Sequence, residues 1–181
     1  MSMLDISSII FYNLLMLTKE LQDYIKRFRL FNAQTTSQQR FIHVLALIYN
    51  KLEKRLNTSM LAFGLTTPQF NILAVLARSD AAYMTQVEIS KRMFVTQGSI
   101  TRLIDRLYQD GLITRTEDKK DRRNKLIKLT VKGKKLYGKI WPAYNKVIND
   151  ALDNIADSKI DESSEALIAW LYKIDNGGKN A

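Results

Sequence analysis

Gln97, Ser99, Thr101, Arg102 and Arg106 alternate with Ile100, Leu103, Ile104 and Leu107, and the apolar four recur at helical spacing. The apolar stripe buries one face of a helix running from Gln97 to about Gln109, so the polar five can face outward. A side-chain amide such as Gln97 can pair bidentately with adenine. A guanidinium such as Arg102 or Arg106 can do so with guanine, in a major groove whose width admits one helix. Thr96 and Ser99 stand where the free N–H groups of the helix start attract anions, and they suit phosphate contacts. An ordinary solvated helix face carries the same residue types, so the context decides. That context is a charged loop, Glu117 to Asn124, between two runs of strand character, Leu112 to Thr116 and Lys125 to Leu129. A hairpin tip bearing Lys120, Arg122 and Arg123 can reach an adjacent minor groove, whose negative potential favours an inserted arginine.

The elements that must position these residues follow from caps and periodicity. Thr67 and Pro68 suit the N-cap and first position of a helix with Phe70, Ile72, Leu73, Val75 and Leu76 on its apolar face. Thr85-Gln86-Val87-Glu88 is a capping box that opens a short helix through about Met93. Phe94-Val95-Thr96 is a tight connection to the Gln97 helix, and Asp110-Gly111 ends that helix. The order helix, helix, tight turn, helix, strand, loop, strand over residues 67–129 is that of a winged helix-turn-helix.

Longer helices flank this module. Ile10, Leu14, Leu17, Leu21, Tyr24, Phe28 and Phe31 make a heptad-like seam in an N-terminal helix of about residues 4–31. Thr36 and Gln39 form a capping box for a second helix lined by Phe41, Val44, Leu45, Ile48, Leu52 and Leu56 and stopped by Gly64. After the strands, Thr130 starts a helix to about Ala156, with a stripe from Leu136 to Ile155 and Pro142 expected to kink it. A last helix covers about Ile160 to Ile174. The fold class is mainly α with a small β-hairpin wing. The domains are residues 1–64, helices for dimerisation; 65–130, a winged helix-turn-helix for DNA; and 131–181, further dimerisation helices. Neither terminal stripe can be buried by the winged module alone, which predicts a twofold homodimer; packing of the N-terminal seam wholly within its own chain is the alternative.

The 181 residues carry a formal charge of +10, distributed as +4 over residues 1–77, +9 over 78–139 and −3 over 140–181. A basic middle between weakly charged ends is the pattern of a nucleic-acid-binding module in a scaffold, and a solvated basic face without a partner is the competing reading. There is no cysteine, which excludes disulfides and thiolate chemistry, and one histidine, His43, too few for a zinc site or a Ser-His triad. Scattered carboxylates and the lack of a phosphate-binding glycine loop argue against an enzyme; no cofactor or metal is expected. The apolar run Ile9 to Leu17 follows Asp5, lacks a basic segment before it and is too short to span a bilayer. A cytoplasmic protein with no membrane partner is expected.

Residues 65–130 resemble the DNA-binding core of MarR-type transcriptional regulators. The resemblance rests on Leu65-Thr66-Thr67-Pro68-Gln69-Phe70, on Ser99-Ile100-Thr101-Arg102-Leu103-Ile104-Asp105-Arg106-Leu107, on Asp110-Gly111-Leu112-Ile113, and on Asp118-Lys119-Lys120-Asp121-Arg122-Arg123 followed by Leu129-Thr130. With the flanking helices it extends over roughly residues 38–175. It implies a homodimeric repressor or activator on a palindromic operator in double-stranded DNA. It also implies that Asp105 orients a wing arginine, Arg123, with Arg122 at the wing tip; a local pair of Asp105 with Arg102 is the alternative. Such regulators often bind a small aromatic or anionic effector, for which Tyr12, His43, Tyr49, Trp141 and Tyr144 are candidate lining residues, and plain core packing is the competing reading. Phe94 in the turn, Gly98 in the first helical turn, the loop Asp80-Ala81-Ala82-Tyr83 and the N-terminal extension depart from the family pattern. An architectural or replication-associated DNA binder without effector, or a protein-interaction adaptor on the same fold, are the other functional readings.

Overall fold

The computed structural model describes residues 19–27, 35–93, 97–118, 124–153 and 155–177. The chain divides into two compact units, Met1–Glu53 and Lys54–Ala181. In the first, α1 spans Lys19–Arg27, and α2 begins at Ser37 and runs to Leu61. The capping box expected at its start forms: Thr36 Oγ1 accepts from the Gln39 N–H at 3.2 Å, and Gln39 Oε1 accepts from the Thr36 N–H at 2.9 Å. Of the expected N-terminal seam, Ile10, Leu14, Leu17, Phe28 and Phe31 lie outside the described residues, and Tyr24 is exposed. On α2, Phe41 and Ile48 are exposed and Leu56 is buried.

The second unit continues with α3 (Thr67–Ala77), β1 (Met84–Thr85), α4 (Gln86–Met93) and α5 (Gln97–Gln109). Then come β2 (Ile113–Glu117), β3 (Lys125–Leu129), α6 (Val131–Leu152) and α7 (Asp157–Gly177). The cap of α3 corrects the sequence reading by one residue. Thr66, not Thr67, is the N-cap, because Gln69 stands three residues after Thr66 and closes a capping box with it; Gln69 Oε1 accepts from the Thr66 N–H at 2.8 Å. At Thr85 the expected box forms, and the Glu88 carboxylate accepts from the Thr85 N–H at 2.7 Å. That backbone bond, then the Thr85 hydroxyl, holds the Glu88 carboxyl below its ordinary pKa against the raising effect of burial.

Further boundaries differ from expectation: β2 is shifted by one residue to Ile113–Glu117, and α7 runs on to Gly177 rather than Ile174. α6 stops at Leu152 rather than Ala156, because Asp153 leaves the helical region with ψ 138°. α7 starts at Asp157 rather than near Ile160, with an acid in its first turn where the helix dipole favours one. Pro142 lies inside α6 as read. Among the described residues no helix is long and apolar enough to cross a membrane.

The sheet has three strands in the order β1-β3-β2, all antiparallel, where the sequence pattern showed only the hairpin β2–β3. β1 is the added member: Met84 pairs with Ile127 and Thr85 with Leu126, so Thr85 both ends a strand and caps a helix. One core joins sheet and helices through Phe70, Ile72, Leu73, Ile89, Ile100, Ile104, Leu107, Ile127 and Ile140, all fully buried. The stripe read on α5 is therefore the inward face of the helix, with Leu103 partly buried beside it.

At the base of the hairpin three elements meet. Gly111, with φ +69°, ends α5 in a left-handed turn that favours glycine; its N–H donates to Tyr108 O at 2.9 Å and the Leu112 N–H to Leu107 O at 2.9 Å. The Leu112 carbonyl then accepts from the Thr130 N–H at 3.0 Å, while Thr130 Oγ1 donates to Gly111 O at 2.8 Å and accepts from the Gly133 N–H at 3.0 Å as the N-cap of α6. Gly133 lies so close that a methyl group there would overlap the Leu112 carbonyl. Gly133→Ala is therefore expected to destabilise the fold by about 1–3 kcal/mol, read as a lower midpoint of thermal unfolding. An unchanged midpoint would show that the junction yields.

Candidate nucleic-acid interface

The outward face of α5 is built by the burial of its inward one. Ser99, Arg102 and Arg106 are spaced three and four apart, which places them on one stripe, and all three are exposed. Arg106 Nε lies 3.2 Å from Asp110 Oδ2, so its guanidinium is drawn toward the C-terminal end of the helix. Thr101 is half-buried, and its hydroxyl accepts from Gln86 Nε2 at 2.6 Å, joining the start of α4 to α5. Gln97 is the first residue of α5. Thr96, Lys120, Arg122 and Arg123 lie outside the described residues.

Asp105 carries the feature that sequence reasoning missed. Its carboxylate accepts from Arg115 Nη1 in an ion pair, with side chains 44% and 24% exposed, so the recognition-type helix is tied to the first wing strand. The expected partner, Arg123, is outside the described residues, and Arg102 makes no ion pair with Asp105. Arg115 also sits with its guanidinium carbon 5.9 Å from the centre of the Tyr108 ring. In the sequence, Arg115 is one polar residue of a short strand; only the β2–β3 register, Arg115 opposite Ile127, turns it toward α5.

The wing continues outward as a paired ladder. Lys125 Nζ donates to Glu117 Oε1 at 2.7 Å, which holds the Glu117 carboxyl below its ordinary pKa. The Asp118 N–H donates to Asn124 O at 3.1 Å, so the chain is still paired on both sides of residues 119–123. Acids offset Arg106 on α5, Arg115 on β2 and Lys125 on β3, whereas among the described residues no carboxylate pairs with the exposed Arg102.

The second unit also contains a cavity of about 360 Å³ lined by Phe70, Asn71, Ala74, Val75, Arg78, Arg92, Met93, Trp141 and Tyr144. Its wall is aromatic: Trp141 and Tyr144 stack with ring centres 5.5 Å apart, and Phe70 lies 5.1 Å from Tyr144. The guanidinium carbon of Arg78 is 4.2 Å from the Trp141 ring centre. Of the candidate ligand residues, the structure thus brings together Trp141 and Tyr144 and adds two arginines that sequence reading did not single out. His43 and Tyr49 are exposed residues of the first unit, and Tyr12 lies outside the described residues.

A helix pair, a third helix with a buried and a polar face, and a paired hairpin define a winged helix-turn-helix. The family model described as "MarR family" matches residues 63–124. A transcriptional repressor of Bacillus subtilis, YetL, is 32% identical over 98 residues, covering 54% of this chain and 59% of that one; the chain thus spans less than two thirds of its length. An uncharacterised HTH-type transcriptional regulator of Bacillus cereus strain ZK is 32% identical over 114 residues, covering 61% of this chain and 74% of that one. A mutant MarR from Escherichia coli, crystallised with operator DNA, superposes with a TM-score of 0.65 at 25% identity over 71% of this chain and 91% of that one. The chain belongs to the MarR family.

The Asp105–Arg115 tie gives a direct test. Asp105→Ala, Arg115→Ala and the double variant, compared by urea unfolding, are expected to show a coupling energy of about 0.2–1 kcal/mol, the range of a half-exposed pair. Additive effects would show that the pair does not join wing and helix.

Proposed function

We propose that the protein is a homodimeric, sequence-specific, DNA-binding transcriptional regulator of the cytoplasm. It places α5 in the major groove of a palindromic operator and the hairpin tip in the adjacent minor groove. The observation that carries this reading is the exposed stripe Ser99, Arg102 and Arg106, held outward by the buried Ile100, Ile104 and Leu107 and tied to the wing through Asp105 and Arg115. The operator complex of the Escherichia coli relative supports the same use of the fold. Ser99 with Thr96 contacts phosphate, Gln97 and Arg102 read base edges, and Lys120, Arg122 and Arg123 supply the wing's charge. Exposed apolar residues on α7 (Ile168, Leu171, Tyr172 and Ile174) support burial against a second copy.

Selection from random duplexes is expected to enrich a palindrome with half-sites about one helical turn apart. Arg102→Ala should weaken binding to it by about 1–3 kcal/mol and relax the preference at one base pair. Enrichment of no palindrome, or an Arg102→Ala chain that selects the same sites with the same affinity, would sink the reading.

The aromatic cavity supports modulation by a small aromatic anion, since it combines stacking surface with the guanidinium groups of Arg78 and Arg92 in a volume suited to a small ligand. Benzoate is expected to quench the fluorescence of Trp141 saturably and to lower operator affinity by about 5-fold or more. Trp141→Phe leaves Trp170 as the internal control. Quenching that persists unchanged in the Trp141→Phe chain would place the ligand elsewhere.

A further inference from the structure

Residues 131–139 carry four lysines and no acid, so close to half of the +9 excess of residues 78–139 lies beyond the wing. Lys132, Lys135 and Lys139, together with Val131 and Leu136, line an open groove of about 500 Å³ along the first turns of α6. Among the described residues none of these lysines has a carboxylate within 4.0 Å; Lys132 Nζ donates only to the carbonyl of Asp110, at 2.7 Å. Lys132 caps the carbonyl end of α5, but folding does not favour the rest of this pattern. The start of a helix prefers acids, and like charges three and four residues apart repel. The proposed operator contacts do not account for it either. α5 is about 18 Å long from Gln97 to Gln109, and the groove opens beside its far end, at the base rather than the tip of the hairpin.

We propose that this groove grips the sugar-phosphate backbone of a second DNA segment, so that one chain holds two duplexes; the proposal rests on the DNA-binding reading above. The chemistry selects phosphate over an acidic protein surface. The groove's charged groups are all ammonium groups, beside the aliphatic Val131 and Leu136, with neither an arginine fork nor an aromatic anchor, and protein partners are held largely by those. Lys132 to Lys139 spans about 10 Å of helix. Along that distance a duplex offers one charge per about 1.7 Å, so three lysines find partners without any base being read.

The test uses the full chain on an immobilised operator duplex, challenged with a labelled duplex of unrelated sequence at about 0.15 M salt. The wild-type chain is expected to retain the second duplex, with a log–log salt slope near −2.7 for three phosphates. The variant Lys132→Gln/Lys135→Gln/Lys139→Gln keeps side-chain reach and removes charge. It should bind operator within about twofold and hold the second duplex at least about tenfold less well, for loss of those three contacts. Equal retention by the variant overturns the proposal, as does no retention by a wild-type chain that still binds operator. Retention of poly-glutamate in preference to the duplex also overturns it and assigns the groove to an acidic protein. Failure of the wild-type chain to bind operator sinks the DNA reading itself, and this proposal with it.

Discussion

The Leu112–Thr130 junction is the constraint on which the rest of the winged unit depends. Backbone groups from the end of α5, the base of the hairpin and the start of α6 satisfy one another there within a few residues. None of those groups has a helical or ladder partner of its own at that point, so each would be an orphan if the other two elements were displaced. The side chain of Thr130 is both donor and acceptor in this knot, and the bare Cα of Gly133 leaves room for the Leu112 carbonyl. The angle between the recognition-type helix and the wing is set by this short-range geometry before any side chain at the outer end is considered.

Farther out, the Asp105–Arg115 pair fastens the same two elements a second time. Two attachment points make helix and wing a single body; one would leave a hinge. The pair also changes the electrostatics of the face. A carboxylate beside phosphate would repel it, and Arg115 compensates that charge from the strand side. With Asp105 compensated, Arg102 stands on the exposed side of α5 with no carboxylate paired to it among the described residues.

The local devices were legible in the sequence because they are encoded within four residues. The boxes at Thr36/Gln39 and Thr85/Glu88, the stop at Gly111, the inward face of α5 and the bounds of β3 all fall in that class. What escaped depends on contacts distant in the chain. β1 is two residues long and exists only because β3 arrives more than forty residues later. Arg115 finds Asp105 only once the hairpin register is set. Between Thr66 and Thr67 the deciding residue was Gln69, and Pro68 made the later position look equally good for a cap. The cavity escaped for the same reason: its arginines come from α4 and the end of α3, and its aromatic wall largely from α6.

α4 is eight residues long, a rod of about 12 Å. Its last turn carries Arg92 and Met93 into the cavity wall, and its first residue, Gln86, holds the hydroxyl of Thr101 on α5. A helix of two turns does not bend appreciably, so its two ends keep a fixed separation and orientation. One short rod, buried at Ile89 in its middle, thus connects the cavity wall to the helix that presents Arg102.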